Sequence, residues 1–276
     1  MTLSERNAFF KAGIAFCIIA VLLAAAASYF LIPEYSSMEK SANRPSSVIQ
    51  IISGSFLKNN YYAVHASLLL AVLFSLAGMF LIHYFYERTS TPEILYISLF
   101  IFSFSFEIIR LVIPLHITLG YPVYYLLISS RVLLFARYFG IFSLFTAGVC
   151  AAGLEVQKTR NIIMILIIAV LLIILGIPID TQKWDTSFKL VNGYNNLLRM
   201  LETAAFIITS VSFFAAAKIR GSKDYIHVGI GVLLSLAGRY ILLETDNMAG
   251  PVLGILLLSF GIWMICSKLH KIHLWL

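Results

Sequence analysis

Along most of this chain hydrophobic positions do not alternate with polar ones; they run on without a break. Eight stretches are apolar on every side, roughly 8–32, 61–86, 93–117, 121–152, 160–179, 192–218, 225–243 and 250–269. About 20 consecutive apolar residues cross the hydrocarbon core of a bilayer as a helix. The pattern therefore predicts an all-α polytopic membrane protein, a bundle of about eight transmembrane helices. Punctuation supports the breaks. Ser90-Thr91-Pro92-Glu93 combines capping hydroxyls, a proline for the first turn and an acid at the positive end of the helix dipole. Gly120-Tyr121-Pro122 separates the third run from the fourth, Gly176-Ile177-Pro178 closes the fifth, and Gly250-Pro251 opens the eighth.

Only one connection is long. Residues 33–60 form an outer loop in which Val48, Ile49, Ile51, Ile52, Phe56 and Leu57 stand among serines. That spacing suits either a short amphipathic helix on the outer interface or an irregular loop. No segment is left to fold as a soluble unit, so residues 1–276 are expected to form a single integral membrane domain. The first run follows Arg6 and Lys11 and ends near Ala24 to Ala27, which resembles a secretory signal with a small-residue cleavage site. Its apolar core exceeds the usual length of about 7–15 residues, so an uncleaved anchor is expected. Cleavage would leave seven spans.

Composition agrees: 60% of residues are hydrophobic and 12% charged, against about 25% charged in soluble domains. The net charge of +7 does not indicate nucleic-acid binding, because the basic residues punctuate the apolar runs and form no patch. Their distribution gives an orientation instead. With the N-terminus inside, ten basic residues fall on cytoplasmic segments (among them Arg88, Lys158, Arg160, Lys218 and Lys223) and five on outer ones: Lys40, Arg44, Lys58, Lys183 and Lys189. The bias puts both termini in the cytoplasm, and a bacterial cytoplasmic membrane is the expected location. Tyr61, Tyr62, Tyr121, Tyr124, Tyr125 and Trp184 suit an outer aromatic belt and need no binding role. Cys17, Cys150 and Cys266 are far apart and read as buried structural thiols.

The remaining five basic residues, Arg110, Arg131, Arg137, Arg199 and Arg239, lie inside apolar runs. A guanidinium in hydrocarbon costs about 2.5–3.5 kcal/mol on insertion scales, so it faces a protected interior. In the third run, Ser103, Glu107 and Arg110 share a face; in the sixth, Asn195, Arg199 and Glu202 do the same. Because the two helices run in opposite directions, Glu-x-x-Arg and Arg-x-x-Glu both put arginine nearer the outside. Tyr124, Arg131 and Tyr138 form one stripe on the fourth run, with Arg131 near the midplane. Arg137 falls on another face, deeper toward the cytoplasm, and reads as structural or snorkelling. Ser235 and Arg239 share a face of the seventh, with Glu244 and Asp246 at or beyond its outer end.

These positions predict one outward-facing polar cavity whose ligand-binding residues are Glu107, Arg110, Tyr124, Arg131, Asn195, Arg199, Glu202 and Arg239. Each glutamate is expected to neutralise the arginine of its own helix. The spans hold three more arginines than clear carboxylates, or two more if Glu244 is counted, and arginine takes carboxylate or phosphate through two parallel hydrogen bonds. An anionic or amphiphilic small molecule, or a lipid headgroup, would meet the surplus. The competing reading is that Arg–Glu pairs only fix helix register.

Several chemistries lack their groups. No lysine lies in the core of a span, which argues against a retinal Schiff base, and there is no Walker A sequence, Gly-x-Ser-x-Gly elbow or His-Glu-x-x-His. His65, His83, His116 and His227 are not spaced as ligands, so neither metal nor cofactor is expected. Ser75-Leu76-Ala77-Gly78 recurs as Ser235-Leu236-Ala237-Gly238, which suits either an internal repeat or close helix contacts. The expectation is a receptor-like or sensory module rather than an enzyme. It would embed in the bilayer and, its C-terminal tail being short, signal through a cytoplasmic or membrane protein partner. The alternatives are a permease for an organic anion and a structural accessory subunit of a membrane complex.

Overall fold

A computed structural model of the chain describes residues 3–42, 61–86, 92–153, 159–185 and 187–274. Among them the elements run α1 (Leu3–Ala42), α2 (Tyr61–Tyr86), α3 (Pro92–Ser103), a 3-10 helix (Phe104–Leu111), α4 (Val112–Leu119), α5 (Val123–Ala151), α6 (Thr159–Leu175), β1 (Ile179–Trp184), β2 (Leu190–Asn192), α7 (Asn195–Arg220), α8 (Asp224–Glu244) and α9 (Ala249–Leu274). Seven continuous helical stretches are long and apolar enough to cross a bilayer. The chain is a polytopic helical membrane protein.

The sequence pattern anticipates eight spans; the described residues contain seven and one shorter apolar helix. That helix, α6, has 17 residues, about 25 Å at 1.5 Å per residue, against a hydrocarbon core of about 30 Å. It stops because Gly176 and Pro178 follow, and proline has no N–H with which to continue the helix. The chain beyond it is not a plain loop. Ile179 pairs with Asn192, Asp180 with Val191 and Trp184 with Leu190 in an antiparallel hairpin, with an irregular register between Asp180 and Trp184. Helix α1 runs on past the expected end of the first span, through Pro33 to Ala42; one missing hydrogen-bond donor does not terminate it. The expected outer loop at 33–60 therefore begins as helix, and its residues 43–60 lie outside the described residues.

The third span is not one regular α-helix. Residues Phe104–Leu111 tighten into 3-10 geometry between α3 and α4. Eight residues is long for a 3-10 run, and such a stretch inside a helix marks strain or a hinge. This segment carries Glu107 and Arg110.

Two ends of the bundle are organised differently. At one end polar side chains clasp the helix termini together. Arg6 donates to the Tyr86 carbonyl at 2.9 Å, the Tyr86 hydroxyl donates to the Cys266 carbonyl, and Arg220 donates to the Tyr225 hydroxyl at 3.1 Å and the Cys150 carbonyl at 3.3 Å. Lys268 meets Asp224 at 3.3 Å. At the other end the hairpin inserts its tip into the bundle. Phe188 is buried with Leu31, Val64, Leu68, Leu111 and Leu126, and Tyr61 stacks on its ring at 5.6 Å between centroids.

Helices α8 and α9 approach almost backbone to backbone. A Cβ at Gly238 would lie 2.4 Å from the Leu258 nitrogen, and one at Gly254 would lie 2.6 Å from the Leu242 nitrogen. Of the two Ser-Leu-Ala-Gly motifs, the one in α8 marks this backbone approach, whereas the one in α2 meets side chains: Ser75 Oγ sits 3.3 Å from Cys17 Sγ, and Gly78 faces the Ile101 side chain.

Candidate functional site

The polar heart of the molecule forms where the 3-10 helix meets α5. Glu107 precedes Leu119 by twelve residues and Arg137 follows Val123 by fourteen, so the two face each other at one depth across the turn. Arg137 grips Glu107 in a two-pronged pair, Nε to Oε1 and Nη2 to Oε2, each at 2.7 Å. Its Nη1 donates to Glu244 Oε1 at 3.2 Å, and the same oxygen accepts from Lys189 Nζ at 2.7 Å. Glu107 is only 2% exposed. A carboxylate so placed is tolerated because both its oxygens are satisfied by charged donors.

Arg110 is buried beside this pair, its Nη1 at 3.5 Å from Glu107 Oε2. Its Nε donates to the Ser187 carbonyl at 2.8 Å, with Nη2 on the same oxygen. The Ser187 hydroxyl in turn donates to the Asp246 carboxylate. Thus an intramembrane guanidinium, a hairpin carbonyl and an acid beyond α8 form one chain of charge-assisted bonds. Burial, with the Arg137 and Arg110 charges nearby, pushes Lys189 down to about 8 against the opposing pull of Glu244.

Next to this network lies a cavity of about 440 Å³, within the range of small-molecule sites. Helix α5 supplies Leu134, Arg137, Tyr138 and Ile141; the hairpin region supplies Trp184, Asp185, Ser187 and the stretch from Lys189 to Asn192; α7 supplies Leu198, Arg199 and Glu202; α8 and its exit supply Arg239, Tyr240, Glu244 and Asp246. Arg239 is buried, donates to Glu202 Oε1 at 2.7 Å, and lies over the Phe206 ring at 6.0 Å.

The structure brings part of the expected set together. Arg199, Glu202 and Arg239 line the cavity, and Glu107 and Arg110 stand behind its wall. Tyr124 does not reach it and is 65% exposed. Arg131 is half-buried on another part of α5, its Nε without a hydrogen-bond partner among the described residues. The side chain of Asn195 lies outside the described residues. Arg137, expected deeper and apart from the site, is its centre. Lys189, Asp185 and the rest of the hairpin come from a segment read as a connection.

Two expectations about charge change with the geometry. Glu107 does sit against the arginine of its own segment, but Arg199 and Glu202 form no ion pair; Glu202 turns to Arg239 instead. The cationic surplus also disappears. Arg137, Lys189, Arg199 and Arg239 face the cavity, and so do Asp185, Glu202, Glu244 and Asp246, four of each sign. Asp185 and Asp246 come from connections outside the spans, and Lys189 comes from the hairpin region, so the lining differs from the set of intramembrane charges.

Chemically, this wall offers charged donors and acceptors around a modest volume. Among the described residues no group of three His, Cys, Asp or Glu side chains is placed to hold a metal ion. Comparison of the chain with protein-family models, with curated proteins and with solved structures finds no match.

Proposed function

We propose that this protein is a receptor-like membrane module that binds an amphiphilic small molecule or lipid headgroup in the cavity under the hairpin. One observation carries the reading. Arg199, an exposed side chain at the cavity mouth, has no ion-pair or hydrogen-bond partner for its guanidinium among the described residues, while every other basic side chain on the wall is engaged. A cation left without an acceptor beside a polar hollow favours a ligand that supplies one.

In the proposed orientation both termini face the cytoplasm, the hairpin faces outward, and α6 makes an eighth crossing. The chain path supports this. Arg220, at the end of α7, bonds Cys150, at the end of α5, whereas the hairpin that α6 leads into packs at the opposite end of the bundle. The side containing Arg6, Arg220 and Lys268 also carries the denser basic loops. Signal output would pass to a partner protein through the clasped helix ends.

Native mass spectrometry of the purified protein tests the binding, together with ligand-dependent thermal stability in nanodiscs. A retained small molecule or lipid that is lost in Arg199→Ala supports it; no retained species, and no stabilisation by any charged probe, refutes it. Proteoliposome counterflow of the retained molecule would move the assignment to a permease. Arg199→Ala that lowers thermal stability without altering any binding would move it to an accessory subunit.

A further inference from the structure

We infer that the ligand is a zwitterion carrying an ammonium and an oxyanion a few bonds apart, held by Glu202 and Arg199 on α7. The inference rests on the cavity reading above and narrows it. Arg199 and Glu202 are three residues apart on one helix, a spacing that puts Cβ atoms about 5–6 Å from one another. Such neighbours of opposite charge commonly pair, yet here no bridge forms between them. Glu202 gives Oε1 to Arg239 at 2.7 Å, and among the described residues its Oε2 accepts no bond. The guanidinium of Arg199 is likewise unengaged. Both groups line the same cavity. The wall thus presents one open cationic donor and one open anionic acceptor side by side.

The total charge of the lining argues the same way. Four basic and four acidic side chains face the hollow, so a ligand that carries both signs complements the lining better than one with a net charge of either sign. A molecule that is neutral overall but carries both signs keeps the balance and satisfies each open group. Amino acid-like molecules and the phosphate-plus-ammonium headgroups of zwitterionic lipids share this chemistry.

The test uses the full-length protein in nanodiscs made of phosphatidylglycerol. Calorimetric titration compares γ-aminobutyrate with butyrate and butylamine, and glycerophosphoethanolamine with glycerophosphoglycerol. The inference requires a zwitterion to bind roughly tenfold or more tightly than its singly charged counterparts. In Glu202→Gln that preference collapses toward the anion, and in Arg199→Gln toward the cation. If the free probes give no heat, native mass spectrometry after exposure to both lipids distinguishes the lipid source. Selective retention of phosphatidylethanolamine over phosphatidylglycerol sustains the inference, with a headgroup as ligand. Equal or tighter binding of butyrate or glycerophosphoglycerol overturns the zwitterion and leaves the cavity reading standing. Absence of binding in every arm overturns both. The wild-type comparison decides the matter even if Glu202→Gln, which removes the charge opposite Arg239, fails to fold.

Discussion

Replacing Arg137 by methionine should expose how much the buried pair contributes. Methionine keeps much of the apolar stem and removes the charge. Glu107 then loses two hydrogen bonds of 2.7 Å and retains only Arg110 at 3.5 Å. Removing one partner of a buried pair costs about 3–5 kcal/mol in soluble proteins, because the other charge stays behind uncompensated. Inside a membrane the figure is smaller, about 0.6–2 kcal/mol for interhelical hydrogen bonds, since the unfolded helices find other partners in the bilayer. The second partner, Glu244, is 36% exposed and keeps Lys189, so its share is below about 1 kcal/mol. We expect a loss of about 2–3 kcal/mol for Arg137→Met. The double variant Arg137→Met with Glu107→Met removes both charges and should recover to within about 1 kcal/mol of wild type. Equilibrium unfolding in mixed detergent–dodecyl sulfate micelles, followed by tryptophan fluorescence, measures both. A single variant within about 0.5 kcal/mol of wild type, or a double variant no better than the single, would refute the view that Glu107 depends on Arg137 for its tolerance.

Lys189 has its proton affinity depressed to about 8 in the folded protein against an ordinary 10.5, so the folded state holds fewer protons across that window and stability should rise from about pH 8 to 10; Lys189→Met should flatten that part of a pH-stability profile, and an unchanged slope would discount the depression. Gly238→Ala drives a Cβ to within 2.4 Å of the Leu258 nitrogen, whereas Gly176→Ala meets nothing nearer than 3.6 Å; the first should cost about 1–3 kcal/mol and the second little, as thermal unfolding would show. Arg131→Ala should leave retention of any bound molecule unchanged, since Arg131 lies away from the cavity, and its loss in native mass spectra would bring that part of α5 into the site.

The spans were legible because bilayer crossing demands long apolar runs, a property of composition more than of tertiary contact. The placement of Arg199, Glu202 and Arg239 was legible from helix periodicity and depth. Arg137 was misplaced because a single helix wheel cannot say which neighbour each face meets. Counting residues back from the shared turn at Gly120 would have set it opposite Glu107. The hairpin escaped notice because Asp180-Thr181-Gln182-Lys183 lacks apolar alternation, and its tip is buried by contacts with distant helices. The 3-10 segment has no proline or glycine within it; its geometry goes with partners far along the chain, including Ser187 and Leu243 for Arg110.

Rewinding of the 3-10 segment Phe104–Leu111 into α-helix would change the length of the third crossing. Eight residues rise about 16 Å in 3-10 form and about 12 Å as α-helix. Rewinding Phe104–Leu111 would therefore shorten the span by about 4 Å and rotate Arg110 by roughly 60° relative to Glu107. The guanidinium would swing off the Ser187 carbonyl and release the hairpin tip it now tethers. Spin labels near Pro92 and Leu119 would report the contraction as a distance change. Such a rewinding would couple the hairpin to the axial position of α3, whose far end carries Glu93 within 3.8 Å of Arg220.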